Sequence, residues 1–69
     1  MKNKILDTLE ESLQARINQQ VMNISIMLEN PMAIHDHTDF MGALELELDK
    51  IAELNDRLEA LKLVYKEVY

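Results

Sequence analysis

Asn30-Pro31-Met32-Ala33-Ile34-His35-Asp36-His37 is the one stretch of this 69-residue chain where helical patterning stops. Proline at 31 lacks a backbone N–H and disfavours the helical conformation for Asn30, so a helix arriving from the amino side ends there. On that side Leu6, Leu9, Leu13, Ile17, Ile24 and Leu28 recur at steps of three and four or their sums. On the other side Leu44, Leu48, Ile51, Leu58, Tyr65 and Val68 do the same. Each set lines one side of a 3.6-residue-period helix. Two such helices around a short link predict an all-α antiparallel hairpin within a single domain, residues 1–69. Its expected parts are a helix over about 3–29, a linker over 30–37 and a second helix over about 38–67.

Working outward from the break, Thr38 is placed to cap the second helix through its hydroxyl. Asp36 as cap with Asp39 in the first turn is an equally good arrangement, and either puts negative charge at the favourable end of the helix dipole. In heptads, Leu44, Ile51, Leu58 and Tyr65 take d and Leu48, Asn55 and Lys62 take a, while Leu54, Leu61 and Val68 widen the stripe through g. Glu53 and Arg57 are spaced as an i,i+4 ion pair. Gly42 is a weak helix former near the turn, where two backbones have room to approach closely. Met32, Ala33 and Ile34 are apolar for a linker and are expected to fold over the end of the bundle.

A lone hairpin has no third wall with which to enclose a core. Chains this short usually need a disulfide, a metal or oligomerisation, and cysteine is absent. Met22 and Ile26 project away from the main stripe of the first helix, making its second half apolar on two sides, the pattern of a helix buried on two sides. The expectation is a homo-oligomer, first a dimer forming an antiparallel four-helix bundle. Its packing residues are expected to be Met22, Ile26, Leu48, Ile51, Asn55 and Leu58. Gln20 and Asn55 are polar positions inside apolar stripes, read either as register-fixing buried amides or as wet rim positions.

Charge is uneven. Residues 1–34 carry three bases against four acids and residues 35–69 carry four against nine, giving the net charge of −6. Phosphate backbones are bound by clustered basic side chains, and no such cluster is present, so direct nucleic-acid binding is not expected. Glu45, Asp49, Glu53 and Asp56 form an acidic strip opposite the leucines of the second helix, suited to a basic partner. An inhibitor that mimics a phosphate row is the alternative function on this ground. Leu63, Val64 and Tyr69 offer an apolar surface for a partner protein near the carboxyl end.

His35, Asp36, His37 and Asp39 are the only concentrated metal-ligand types. Nothing else in one chain completes their coordination, so a polar linker with capping aspartates is the preferred reading and a metal-stabilised bundle the alternative. No cofactor is expected. Ser12 and Ser25 have no histidine at a suggestive spacing and no glycine-rich phosphate loop exists, so catalysis is not expected.

Asp7, Glu10 and Glu11 interrupt any signal-like apolar run after the basic amino terminus, and no run approaches the roughly 20 residues of a membrane span. A soluble cytoplasmic protein is expected. His35-Asp36-His37-Thr38-Asp39-Phe40, followed by Ala43-Leu44-Glu45-Leu46-Glu47-Leu48-Asp49-Lys50-Ile51-Ala52-Glu53, resembles small acidic proteins of tailed bacteriophages. The resemblance covers about the second half of the chain. It implies expression in an infected bacterial cytoplasm and an accessory role, and brings over no site residues. The function expected is a small non-catalytic interaction module, an adaptor or a modulator of another protein.

Overall fold

The computed structural model describes residues 3–30 and 37–68. Two helices, α1 (Lys4–Glu29) and α2 (His37–Val68), pack against each other as a hairpin. Asn3 opens α1 in an extended conformation, and its side-chain oxygen accepts the Leu6 amide at 3.0 Å. That bond satisfies one of the four N–H groups a helix start leaves without a partner. At the far end Asn30 leaves the helical region at φ −131° and ψ 56°, while its N–H still donates to the Ile26 and Met27 carbonyls. This is where the Asn-Pro pair was expected to stop the helix. Asp39 in the first turn of α2 and Lys66 in its last suit the helix dipole at both ends.

α2 starts at His37, which puts Thr38 within its first turn. Linker residues 31–36, Met32, Ala33, Ile34, His35 and Asp36 among them, lie outside the described residues, as does Tyr69. The fold measures 49 × 16 × 12 Å. Its long dimension is one α2 helix, since 32 residues rise about 48 Å at 1.5 Å each.

The inner face of α1 runs Leu6, Glu10, Leu13, Ile17, Gln20, Ile24, Met27, and that of α2 runs Phe40, Leu44, Glu47, Ile51, Leu54, Leu58, Leu61, Tyr65. Steps of four and three alternate along both, the spacing of an antiparallel coiled coil. Relative to the heptads drawn from the sequence, the inner face of α2 uses the d and g positions. The a positions Leu48, Asn55 and Lys62 turn outward. On α1, Leu9 and Leu28 likewise fall at the exposed edges of the stripe. The correction has a simple cause. Leu48 extends the Leu44 row by four residues as well as Glu47 does by three, and hydrophobicity alone favours the leucine.

Four leucines form the buried core: Leu13 from α1 and Leu54, Leu58 and Leu61 from α2, with Leu6, Ile17 and Tyr65 packed around them. The Tyr65 hydroxyl donates to an Asp7 carboxylate oxygen across the two helices. This contact pins the register at the open end of the hairpin. The six extra residues of α2 (32 against 26) therefore fall at the turn end. Gly42 makes no close backbone approach. A methyl group built on it would meet nothing within 4 Å.

Candidate interaction surfaces

In an antiparallel pair, residues flanking the inner face on one helix meet the corresponding flank of the other, which gives the hairpin two long edges. One edge carries a cleft of about 160 Å³ lined by Arg16, Gln19, Gln20, Lys50, Glu53, Leu54 and Arg57. The opposite edge carries a shallow groove lined by Glu10, Glu11, Gln14, Leu58 and Lys62. These linings establish which residues share an edge. Gln14 and Lys62 each follow an inner-face residue directly, as do Val21, Leu28, Met41 and Leu48 nearer the turn. All four of those apolar side chains are exposed. The second edge is thus charged in its turn-distal half and apolar in its turn-proximal half. On the first edge Ile26 and Leu46 lie exposed toward the turn, and Ile5, Leu9 and Val64 toward the open end.

The expected packing residues divide between inside and outside. Leu58 is 6% exposed in the hairpin's own core and Ile51 is half-buried on the inner face. Both are occupied within the chain. Met22, Ile26 and Leu48 are exposed. Asn55 is exposed within the single hairpin as well. Gln20 does lie on the inner face, half-buried, and its Oε1 is buried with no hydrogen-bond partner.

Its counterpart on α2 is Glu47, which the sequence reading overlooked. Its side chain is 17% exposed, with one oxygen 3.3 Å from Lys50 Nζ and the other buried without a partner. A buried polar atom lacking a partner carries its full desolvation penalty. The signal for Glu47 was present in the strict alternation of steps from Phe40 to Tyr65, which passes through it.

Glu45, Asp49, Glu53 and Asp56 are all exposed along α2. Glu53 accepts from Arg57 at 2.5 Å, the i,i+4 pair the spacing predicted. Leu63 and Val64 are exposed near the end of α2, whereas Tyr69 lies outside the described residues. Of the histidine–aspartate cluster, Asp39 is exposed and His37 opens α2, while His35 and Asp36 lie outside the description. Among the described residues no group of three or more His, Cys, Asp or Glu could hold a metal ion. None of the described helices is long and apolar enough to cross a membrane. Compared with protein-family models, curated proteins and solved structures, the chain has no significant match.

Proposed function

We propose that the protein is a small non-catalytic protein–protein interaction module that works as a homo-oligomer, two hairpins forming a four-helix bundle that adapts or modulates another protein. One observation carries this reading. Among the described residues twelve large apolar side chains are at least 40% exposed, against a buried core of four leucines. Scattered apolar residues on a surface need no explanation, but contiguous ones mark contact sites. A hairpin with as many large apolar side chains outside as on its inner face gains most by covering them.

Sedimentation equilibrium across a dilution series tests the reading. The expected result is a mass of about two chains at micromolar concentration that falls toward one on dilution, as mass action requires. A cooperatively folded single chain at every concentration would overturn the homo-oligomer.

A second reading rests on the acidic strip. Glu45, Asp49 and Asp56 are exposed and make no ion pair among the described residues. Under this reading the strip holds a basic protein in place of its nucleic acid. Capture from lysate that is lost as salt rises supports it, because such contacts are screened beyond about 10 Å at 0.1 M salt. Capture unchanged in high salt counts against it.

A further inference from the structure

We infer that the edge bearing Val21, Leu28, Met41 and Leu48 is the face that meets a second copy of this chain, with the two-fold axis parallel to the long axis of the hairpin. The inference rests on the homo-oligomer reading above and specifies its face and symmetry. Three observations support it.

The first is area. The chain exposes 5434 Å². A compact monomer of 8.0 kDa exposes roughly 4,500 Å². The excess of about 1,000 Å² is close to the roughly 800 Å² each partner contributes to a standard interface. One interface would bring the chain to the surface area of an ordinary folded protein.

The second is continuity. Val21 and Leu28 lie one heptad apart on α1, and Met41 and Leu48 one heptad apart on α2. The groove lining places their heptad equivalents Gln14 and Lys62 along the same edge. Their exposures of 53, 59, 57 and 56% leave this apolar strip open.

The third is charge, which selects the symmetry. In the turn-distal half of this edge α1 offers Lys4, Asp7, Glu10 and Glu11, two net negative charges. α2 offers Glu59, Lys62 and Lys66, one net positive charge. A two-fold parallel to the long axis sets α1 of one copy against α2 of the other at the same height. Apolar half then meets apolar half, and the acidic strip meets the basic one. A two-fold across the long axis sets each helix on its own copy. With full overlap it stacks the apolar half on the charged half, and slid to match the patches it forfeits half the contact length. Isologous interfaces must be self-complementary, and only the parallel axis makes this edge so over its whole length.

Val21→Glu and Leu48→Lys test face and symmetry together. Both sites are exposed within the hairpin, and both introduced residues are good helix formers. Helicity by circular dichroism is therefore expected to persist. Each variant alone is expected to dissociate on the order of a hundredfold more readily, the scale of a charge placed in the centre of an interface. Their equimolar mixture is expected to recover association, because the introduced acid and base face one another only across the parallel axis. Leu46→Lys, on the opposite edge, is expected to associate like the parent chain.

A parent chain that is monomeric throughout would remove the homo-oligomer itself. A dimeric parent with unaltered Val21→Glu and Leu48→Lys association would overturn this face and leave the homo-oligomer standing. Variants that dissociate singly and stay apart in the mixture would overturn the parallel axis.

Discussion

The two halves of the hairpin share one geometry and differ in what fills it. In the turn-distal half the inner face is Leu6, Glu10, Leu13 and Ile17 against Leu54, Leu58, Leu61 and Tyr65, and every buried residue of the described chain lies there. In the turn-proximal half Gln20 and Glu47 occupy inner positions, each with a buried oxygen lacking a partner. There Ile24, Met27, Leu44 and Ile51 are only half-buried. Periodicity brings two helices together, but the identity of the residues at those positions decides how firmly. The half that is weak inside is also the one whose outer edge is apolar from Val21 to Leu48. Two polar side chains inside and an apolar edge outside leave this half the less tightly packed of the two.

The largest effect should come from truncating the tight half. Leu13→Ala removes the most deeply buried side chain, 3% exposed, and is expected to destabilise by about 2–5 kcal/mol. In so small a domain that suffices to unfold the chain at 25 °C, visible as lost helicity. Ile24→Ala in the loose half is expected to cost clearly less. Equal losses in denaturant midpoint at the two sites would erase the contrast between the halves.

The reverse experiment fills the loose half. Glu47→Leu replaces an orphaned carboxylate oxygen with an apolar group and should stabilise by about 1–3 kcal/mol. The Lys50 contact it forfeits is with a half-exposed lysine and contributes little. A lower denaturant midpoint would show that the glutamate is satisfied in solution and that the proximal seam is sound.

Tyr65→Phe tests the lock at the open end. Losing the bond to Asp7 is expected to cost about 1 kcal/mol, with helicity retained. No change in midpoint would mean that leucine packing alone holds the register. The smallest effect is expected at the turn end, where Gly42→Ala should stabilise by just under about 1 kcal/mol through helix propensity. The space around Gly42 is open and its φ is not positive, so a loss of stability there would contradict the backbone described.

The hairpin itself was legible because its signals are local. Asn30 before Pro31 stops a helix by sterics between neighbouring residues, and Glu53 finds Arg57 one turn away on the same helix. The inner face was legible only in part. Leu48 and Asn55 fit an apolar stripe as well as Glu47 and Leu54 do when one helix is wrapped alone, and ranking by hydrophobicity prefers Leu48. The partner helix removes that ambiguity. Leu13 packs with Leu54, Leu58 and Leu61, and the alternating four-and-three spacing then carries the inner face through Glu47. Among the candidate surface residues, exposure of Met22, Ile26, Leu63 and Val64 followed from their angle on a single helix. Which of them share an edge did not, because an edge is made by two helices.

Residue order alone determined two helices, their stop at Asn30 and the surplus of apolar side chains over what one hairpin can enclose. These depend on backbone sterics and on angles around a single axis, both of which are set within a few residues. Packing decided the rest: that Leu58 belongs inside and Leu48 outside, that Gln20 and Glu47 weaken one half, and that four apolar side chains from two helices line one edge. Those facts depend on the rotation of one helix against another. Nothing within either helix fixes that rotation until side chains such as Leu13 and Leu58, or Tyr65 and Asp7, meet across the gap.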